Sequence, residues 1–345
     1  MREPEYSGKP LAYLDQNILD GFLNCIETEP DFVQGFLERV QVVYSNITLQ
    51  EIYRAGIKDT KYSDEFLVLL DQFDAIYIEA EFDEHFKFTG KMKLLSGSAK
   101  VIYENYINES LKYDEFINPL QKTIFAMYGG VKDYEDMENS QIESQYSLLK
   151  FIEDQINNLK NEKIDHPFFN LFIQEKENEL DSLRKQMSDF EKNVKNNTNH
   201  LKQINTETDA HLAFRKELKI NIDEINKIQS PDVLTKLWET LRKSNSSLDE
   251  IQLDDFLQIR NVKHSFEKIH VMYTNLNLMG FRPEKKVKNE KKFISSQSDI
   301  SHVAYASYCD YFITNDERLA DKSDAIYEYL EIPTEILNIP KFLDK

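Results

Sequence analysis

Four acidic residues recur at comparable places along the chain. Asp15 follows a short apolar run, Glu51 lies at the start of the helical segment after the next such run, Asp299 opens a later helical segment, and Asp316 follows the run 311–314. Hard divalent ions such as Mg²⁺ or Mn²⁺ take oxygen ligands and keep several waters, which suits a cluster of carboxylates. Such a site can activate a water towards phosphorus and stabilise charge on the leaving oxygen, so phosphodiester hydrolysis is the chemistry these acids would serve. His302, three residues after Asp299 on the same helix face, could touch that site or the scissile phosphate, or be an ordinary helix histidine. The acids have ordinary explanations too. Thr48-x-x-Glu51 matches a capping box, Thr314-x-x-Glu317 could cap the helix holding Asp316, and Asp15 or Asp299 could each be an N-cap. Capping does not require that all four fall at one sheet edge.

The elements that would position them alternate. Residues 11–14 read as a buried strand, followed by a helix through Ile18, Leu19, Phe22 and Leu23. Residues 40–44 repeat the theme, with a helix through Ile52 and Tyr53, and a third strand is expected at 75–78. Near the C-terminus come a helix beginning near Asp299, a strand at 311–314, another helix and a closing strand at 335–339. Alternating strands and helices favour a parallel α/β sheet with right-handed crossovers, whose ligands bind outside the carboxyl ends of the strands.

Between these parts, from 93 to 255, strand signals nearly vanish and Lys, Glu, Asn and Gln rise. Ile173, Leu180, Leu183, Met187, Phe190, Val194, Leu201 and Ile204 recur with three-and-four spacing, the seam of a coiled coil. A second segment through Leu212, Leu218, Ile222 and Ile225 is expected to fold back on it across a turn at 205–209. Packing or homo-oligomer formation is the plain reading of this arm; holding a substrate or protein partner is the other. The expected division is therefore 1–92 and 256–345 for the sheet domain and 93–255 for the helical insertion. Arg282, Lys285, Lys286, Lys288, Lys291 and Lys292 form a basic island before Asp299, which is either a phosphate contact or a solvated loop.

The net charge of -19 argues against a nonspecific nucleic-acid coat, so any phosphate must be held locally. Cys25 and Cys309 lie far apart without metal-ligand spacing, which fits a reducing cytoplasm. The first ten residues lack the apolar stretch of a secretion signal and no apolar run approaches a membrane span, so neither export nor insertion is expected.

AYLDQN at 12–17, SNITLQEI at 45–52, SDISHVAYA at 298–306 and YFITND at 311–316 together resemble the PIN domain family, a group of PIN-like nucleases. The resemblance implies an α/β/α sandwich with a central parallel sheet and a Mg²⁺- or Mn²⁺-dependent endonuclease, a hydrolase acting most often as a ribonuclease. By it, Asp15, Glu51, Asp299 and Asp316 are the catalytic and metal-binding carboxylates, with Asn17, Thr314 and Asn315 as supporting polar groups. It covers about the first 90 and last 65 residues; the long insertion departs from the family pattern. Such an enzyme could serve as a stress or phage-defence effector. The alternatives are a DNA nuclease of the flap-cleaving type and a catalytically silent PIN-like scaffold working through coiled-coil contacts.

Overall fold

The computed structural model describes residues 8–83, 87–110, 119, 121–161 and 166–344; residues 1–7, where no secretion signal is expected, lie outside them. Six strands form one sheet in the order β4-β3-β2-β1-β5-β6: β1 (Leu11–Leu14), β2 (Gln41–Ser45), β3 (Ile76–Phe82), β4 (Phe88–Leu95), β5 (Tyr311–Ile313) and β6 (Glu335–Leu337). All neighbours pair in parallel except β3 with β4. The protein is thus α/β with a mostly parallel central sheet. Its inner strands are continuous apolar runs because both faces are covered, as in LAYL of β1 and QVVYS of β2.

Sequence reading missed β4. Its apolar positions Phe88, Met92 and Leu94 do alternate, but Thr89, Gly90, Lys91 and Lys93 between them mask the run. An edge strand carries such polar residues readily because one side faces no partner.

The main helices are α1 (Gln16–Cys25), α2 (Asn46–Gly56), α3 (Tyr134–Asn161), α4 (Pro167–Glu207), α5 (Val233–Ser244), α6 (Ser265–Met279), α7 (Glu290–Ala306) and α8 (Glu317–Tyr329). The chain divides into two compact units. One comprises Met1–Ile107, Phe214–Lys286 and Lys291–Lys345; the other comprises Asn108–Ala213 and Val287–Glu290. The expected boundaries at 92 and 256 therefore shift. Strand β4 runs to Leu95, and Leu237, Trp238 and Leu241 of α5 share one core with Tyr13, Val43, Phe312, Met272 and Val303. Their apolar spacing serves the sheet domain, not a separate arm.

The second unit contains a long antiparallel helix pair. Lys160 pairs with Glu177, Glu153 with Arg184 (2.8 Å), and the Tyr146 hydroxyl donates to Glu191 (2.6 Å), so α3 descends as α4 ascends. Ile173, Leu180 and Met187 of the expected seam are buried at heptad spacing against Leu149 and Ile156. The partner is the preceding helix α3, not the segment 212–225 that was expected to fold back. Residues 205–207 still belong to α4, and Ile225 lies in the core of the sheet unit. Helix α3 carries a weak sequence signal because its buried positions are spread among Glu, Gln and Asn over 28 residues.

Candidate active site

In the sheet, β1, β2 and β3 proceed to one side and β5 and β6 to the other, so the topological switch point lies between β1 and β5. The register places Leu14 beside Ile313 and Tyr13 beside Val43. Continuing it one step past β1 sets Asp15 level with Thr314 on one side and Ser45 on the other. The Asp15 amide donates to the Ile313 carbonyl at 3.0 Å and fixes this alignment. On the far side of the same strands, the Leu11 amide donates to Asp310 Oδ2 at 2.7 Å, so Asp310 ties β5 to β1 at their start.

Asp15 stands at the N-cap of α1, yet its side chain makes no cap hydrogen bond. Its carboxylate turns inward, 3 % exposed, and Oδ2 accepts from Thr314 Oγ1 at 2.9 Å and from Asn17 Nδ2 at 3.2 Å. Burial raises its pKa, opposed by His302 and the Thr314 hydroxyl and reinforced by Glu51. Thr314 and Asn17 thus both hydrogen-bond to the Asp15 carboxylate, whereas Asn315 is exposed.

Glu51 is not part of a capping box. Ser45 caps α2 and Thr48 closes the box back onto it, which leaves Glu51 one turn further into the helix, with its carboxylate 3.1 Å from His302 Nε2. Burial disfavours the Glu51 carboxylate, but His302, Arg54 and the Ser298 hydroxyl outweigh it and lower the pKa.

Asp299 does not open its helix. Helix α7 begins at Glu290, because Phe293, Ser296, Ile300 and Val303 keep one buried face through a serine-rich stretch that reads as a linker. Asp299 therefore sits mid-helix and cannot be an N-cap. Burial, then the neighbouring Asp15 carboxylate, hold its carboxyl well above the usual range. Asp316, in contrast, does cap: Oδ1 accepts from the amides of Arg318 (2.8 Å) and Leu319 (3.1 Å), and Oδ2 lies 3.9 Å from Arg318 Nη2.

His302 is 1 % exposed and spans the site. Nδ1 lies 2.8 Å from the Tyr13 hydroxyl, which lies 2.7 Å from Ser45 Oγ. Protonated on both nitrogens, the ring donates to Glu51 and to Tyr13, whose hydroxyl then donates to Ser45. Burial opposes this charge, but Glu51 first, then Asp15 and Asp299, raise the pKa above its ordinary 6.5. The stability His302 contributes is complete below about pH 6.5 and is lost as pH rises through its raised value. That from Glu51 is complete above its ordinary 4.5 and is lost as pH falls through its lowered value. In EDTA, His302→Gln should therefore lower the melting temperature most between those two pH values, with the difference shrinking as pH rises further. A pH series of thermal melts on both proteins checks this; a gap that widens steadily into alkali would contradict it.

A second buried pair adjoins the acids. Lys322 of α8 is 0 % exposed, and its ammonium donates to Glu284 Oε1 (2.6 Å) and Asn277 Oδ1 (2.7 Å) while lying 4.6 Å from the Tyr273 ring centroid. Burial lowers its pKa, opposed first by Glu284 and also by Asp299 and Asp316. Sequence reading passed over both residues. Glu284 is hidden inside the basic island; Lys322 carries a visible signal, a lone cation on the register Leu319, Lys322, Ile326 that α8 buries.

The island itself disperses. Arg282 is bound to Asp321 and to the Asn226 and Ile228 carbonyls, and packs on Phe281, so it is a structural clamp. Lys285, Lys286 and Lys292 are exposed, and Lys288 pairs with Asp209 at 2.8 Å within the other unit. Lys291 alone of the six lines a groove that Glu51 also lines.

Among the described residues, no group of three or more His, Cys, Asp or Glu side chains stands ready-spaced around a metal position. The donor set nevertheless fits Mg²⁺ or Mn²⁺. It is all oxygen, and burial and the neighbouring carboxylates raise the pKa of both Asp15 and Asp299, which a cation would relieve. Mg²⁺ commonly takes one or two carboxylates directly and completes its shell with water and phosphate. No family model matches the chain, and no curated protein or solved structure matches it either.

Proposed function

We propose that the protein is a metal-dependent endonuclease of PIN-like type, hydrolysing phosphodiester bonds of RNA in preference to DNA. The observation that carries this reading is Asp15: a carboxylate at the switch point, buried, free of its helix cap, and raised in pKa by burial and by Glu51. A buried acid that caps nothing is a poor structural element and a good ligand. The sheet order and the acids at its carboxyl edge support the PIN-like sandwich, and the α3–α4 pair is read as a coiled-coil arm for packing or a protein partner.

Asp15, Glu51, Asp299 and Asp316 would hold the ion between them. The bound ion would supply a polarised water and charge stabilisation at phosphorus. Thr314 and Asn17 fix the Asp15 carboxylate through the hydrogen bonds described above. His302 keeps Glu51 ionised and oriented towards the acids, while Tyr13 and Ser45 fix the imidazole plane. Lys322 and Glu284 form a fixed neutral pair that backs the cluster without adding net charge.

Purified protein incubated with labelled single-stranded RNA, single-stranded DNA and a flap duplex, in Mn²⁺, Mg²⁺ or EDTA, tests the reading. RNA should be cut internally with either metal and not in EDTA, and folded Asp15→Asn should be inactive. Cutting of the flap alone would make it a DNA nuclease, and no cutting of any substrate would favour the silent scaffold.

A further inference from the structure

We propose that the groove beside Glu51 is the track for a single-stranded segment of the substrate, with Arg54, Lys58 and Lys291 holding its phosphates. The inference rests on the nuclease reading and names the form of nucleic acid that its site would accept.

The groove, about 380 Å³, opens between α2 and α7. From α2 come Glu51, Arg54 and Ala55, at i, i+3 and i+4 and so on one face, with Lys58 from the turn that follows. The opposite wall repeats the spacing with Lys291, Ile294 and Ser295. Arg54 is held in place by Ser298 Oγ, 3.0 Å from Nη1, and by Gln50.

In a chain of net charge -19, three cations against the single carboxylate of Glu51 leave this groove with a positive excess that suits a polyanion. Glu51 to Lys58 spans about 10 Å at ~1.5 Å per residue, roughly the rise of three stacked nucleotides at ~3.4 Å each. Between the cations, Ala55, Ile294 and Tyr62 give the walls apolar and aromatic surface, beside the polar Gln16 and Ser295. Tyr62 contributes a ring fixed by its hydroxyl bond to Asp20 and by edge contact with Phe66, centroids 4.7 Å apart. Unstacked bases use such a wall, whereas a duplex keeps its base faces covered.

The test is fluorescence anisotropy of the full chain with a short labelled single-stranded RNA, a single-stranded DNA and a blunt duplex, in EDTA so that nothing is cut, over a salt series. Arg54→Gln/Lys58→Gln/Lys291→Gln should weaken single-strand binding tenfold or more. It should also reduce the slope of log K against log salt by about 2, three phosphates at ~0.7 each. The double variant Lys58→Gln/Lys291→Gln changes only exposed residues and should lower the slope by about 1.4 if Arg54 proves necessary for folding. The wild type should bind the duplex more weakly than either single strand. Unchanged affinity and slope in the variants, or tighter duplex binding, would overturn the groove. The two readings fail separately. Binding that depends on Arg54, Lys58 and Lys291, by a protein that never cuts, would keep the groove and remove the nuclease; cutting by the triple variant with an unaltered KM would keep the nuclease and remove the groove.

Discussion

Replacing Asp299 by Asn should raise the melting temperature of the metal-free protein and at the same time abolish metal-dependent cleavage. Burial and the Asp15 carboxylate hold the Asp299 carboxyl well above its ordinary value. A carboxyl raised on folding costs stability once the pH exceeds its unfolded value, and the whole cost is present above its folded value. At neutral pH the amide removes that cost while keeping shape and hydrogen-bonding capacity. Recovery of roughly 1 kcal/mol would move the midpoint by ~2–4 °C. Added Mn²⁺ should stabilise the wild type and leave the variant nearly unmoved, because ligand stabilisation follows affinity. Functional sites commonly trade stability for charge in this way. A variant that melts lower than wild type and still cleaves would contradict the account.

Lys322→Ala should have the opposite effect and a larger one, a loss of about 3–5 kcal/mol, the usual consequence of removing one partner of a buried ion pair. The substitution leaves Glu284 without its 2.6 Å partner beside Asp299 and Asp316, empties the space against Tyr273, and frees Asn277. Paired removal as Lys322→Met/Glu284→Gln should recover most of the loss, since no uncompensated charge is then buried. Urea denaturation of the three proteins reads both effects. A loss below about 1 kcal/mol in the single variant would mean that the ammonium is not desolvated as described.

Much of the sheet was legible in the sequence because parallel strands buried on both faces are short, continuous apolar runs: LAYL, VQVVYS and YFI stand out against a polar chain. The edge strand β4 was not, since an edge needs only half that pattern. Helix 290–306 begins earlier than its sequence suggests, because serines on a buried helix face look like a linker. One helix of the long pair is legible from the seven-residue repeat of Ile173, Leu180 and Met187, though Leu183 of the expected seam is exposed; such a repeat does not name its partner, and α3 carries its apolar residues sparsely.

Asp15 and Asp316 are legible as acids that follow a strand, and Glu51 and Asp299 as acids on a helix that leads from or towards one. What they do there is not, because capping and ligation use the same residue types at the same positions. Geometry separates them: Asp316 caps α8, Asp15 and Asp299 cap nothing, and the cap of α2 belongs to Ser45 and Thr48, not to Glu51. The roles of Tyr13, Glu284 and Lys322 depend on contacts between residues far apart in the chain, about which spacing is silent.

Calorimetric titration of Mn²⁺ into the wild-type protein and into Asp15→Asn, each verified as folded, tests the central claim most directly. Saturable binding by the wild type that disappears in the variant is the expected result. Absence of binding by the wild type, or equal binding by both, would contradict a metal site built on the switch-point carboxylate.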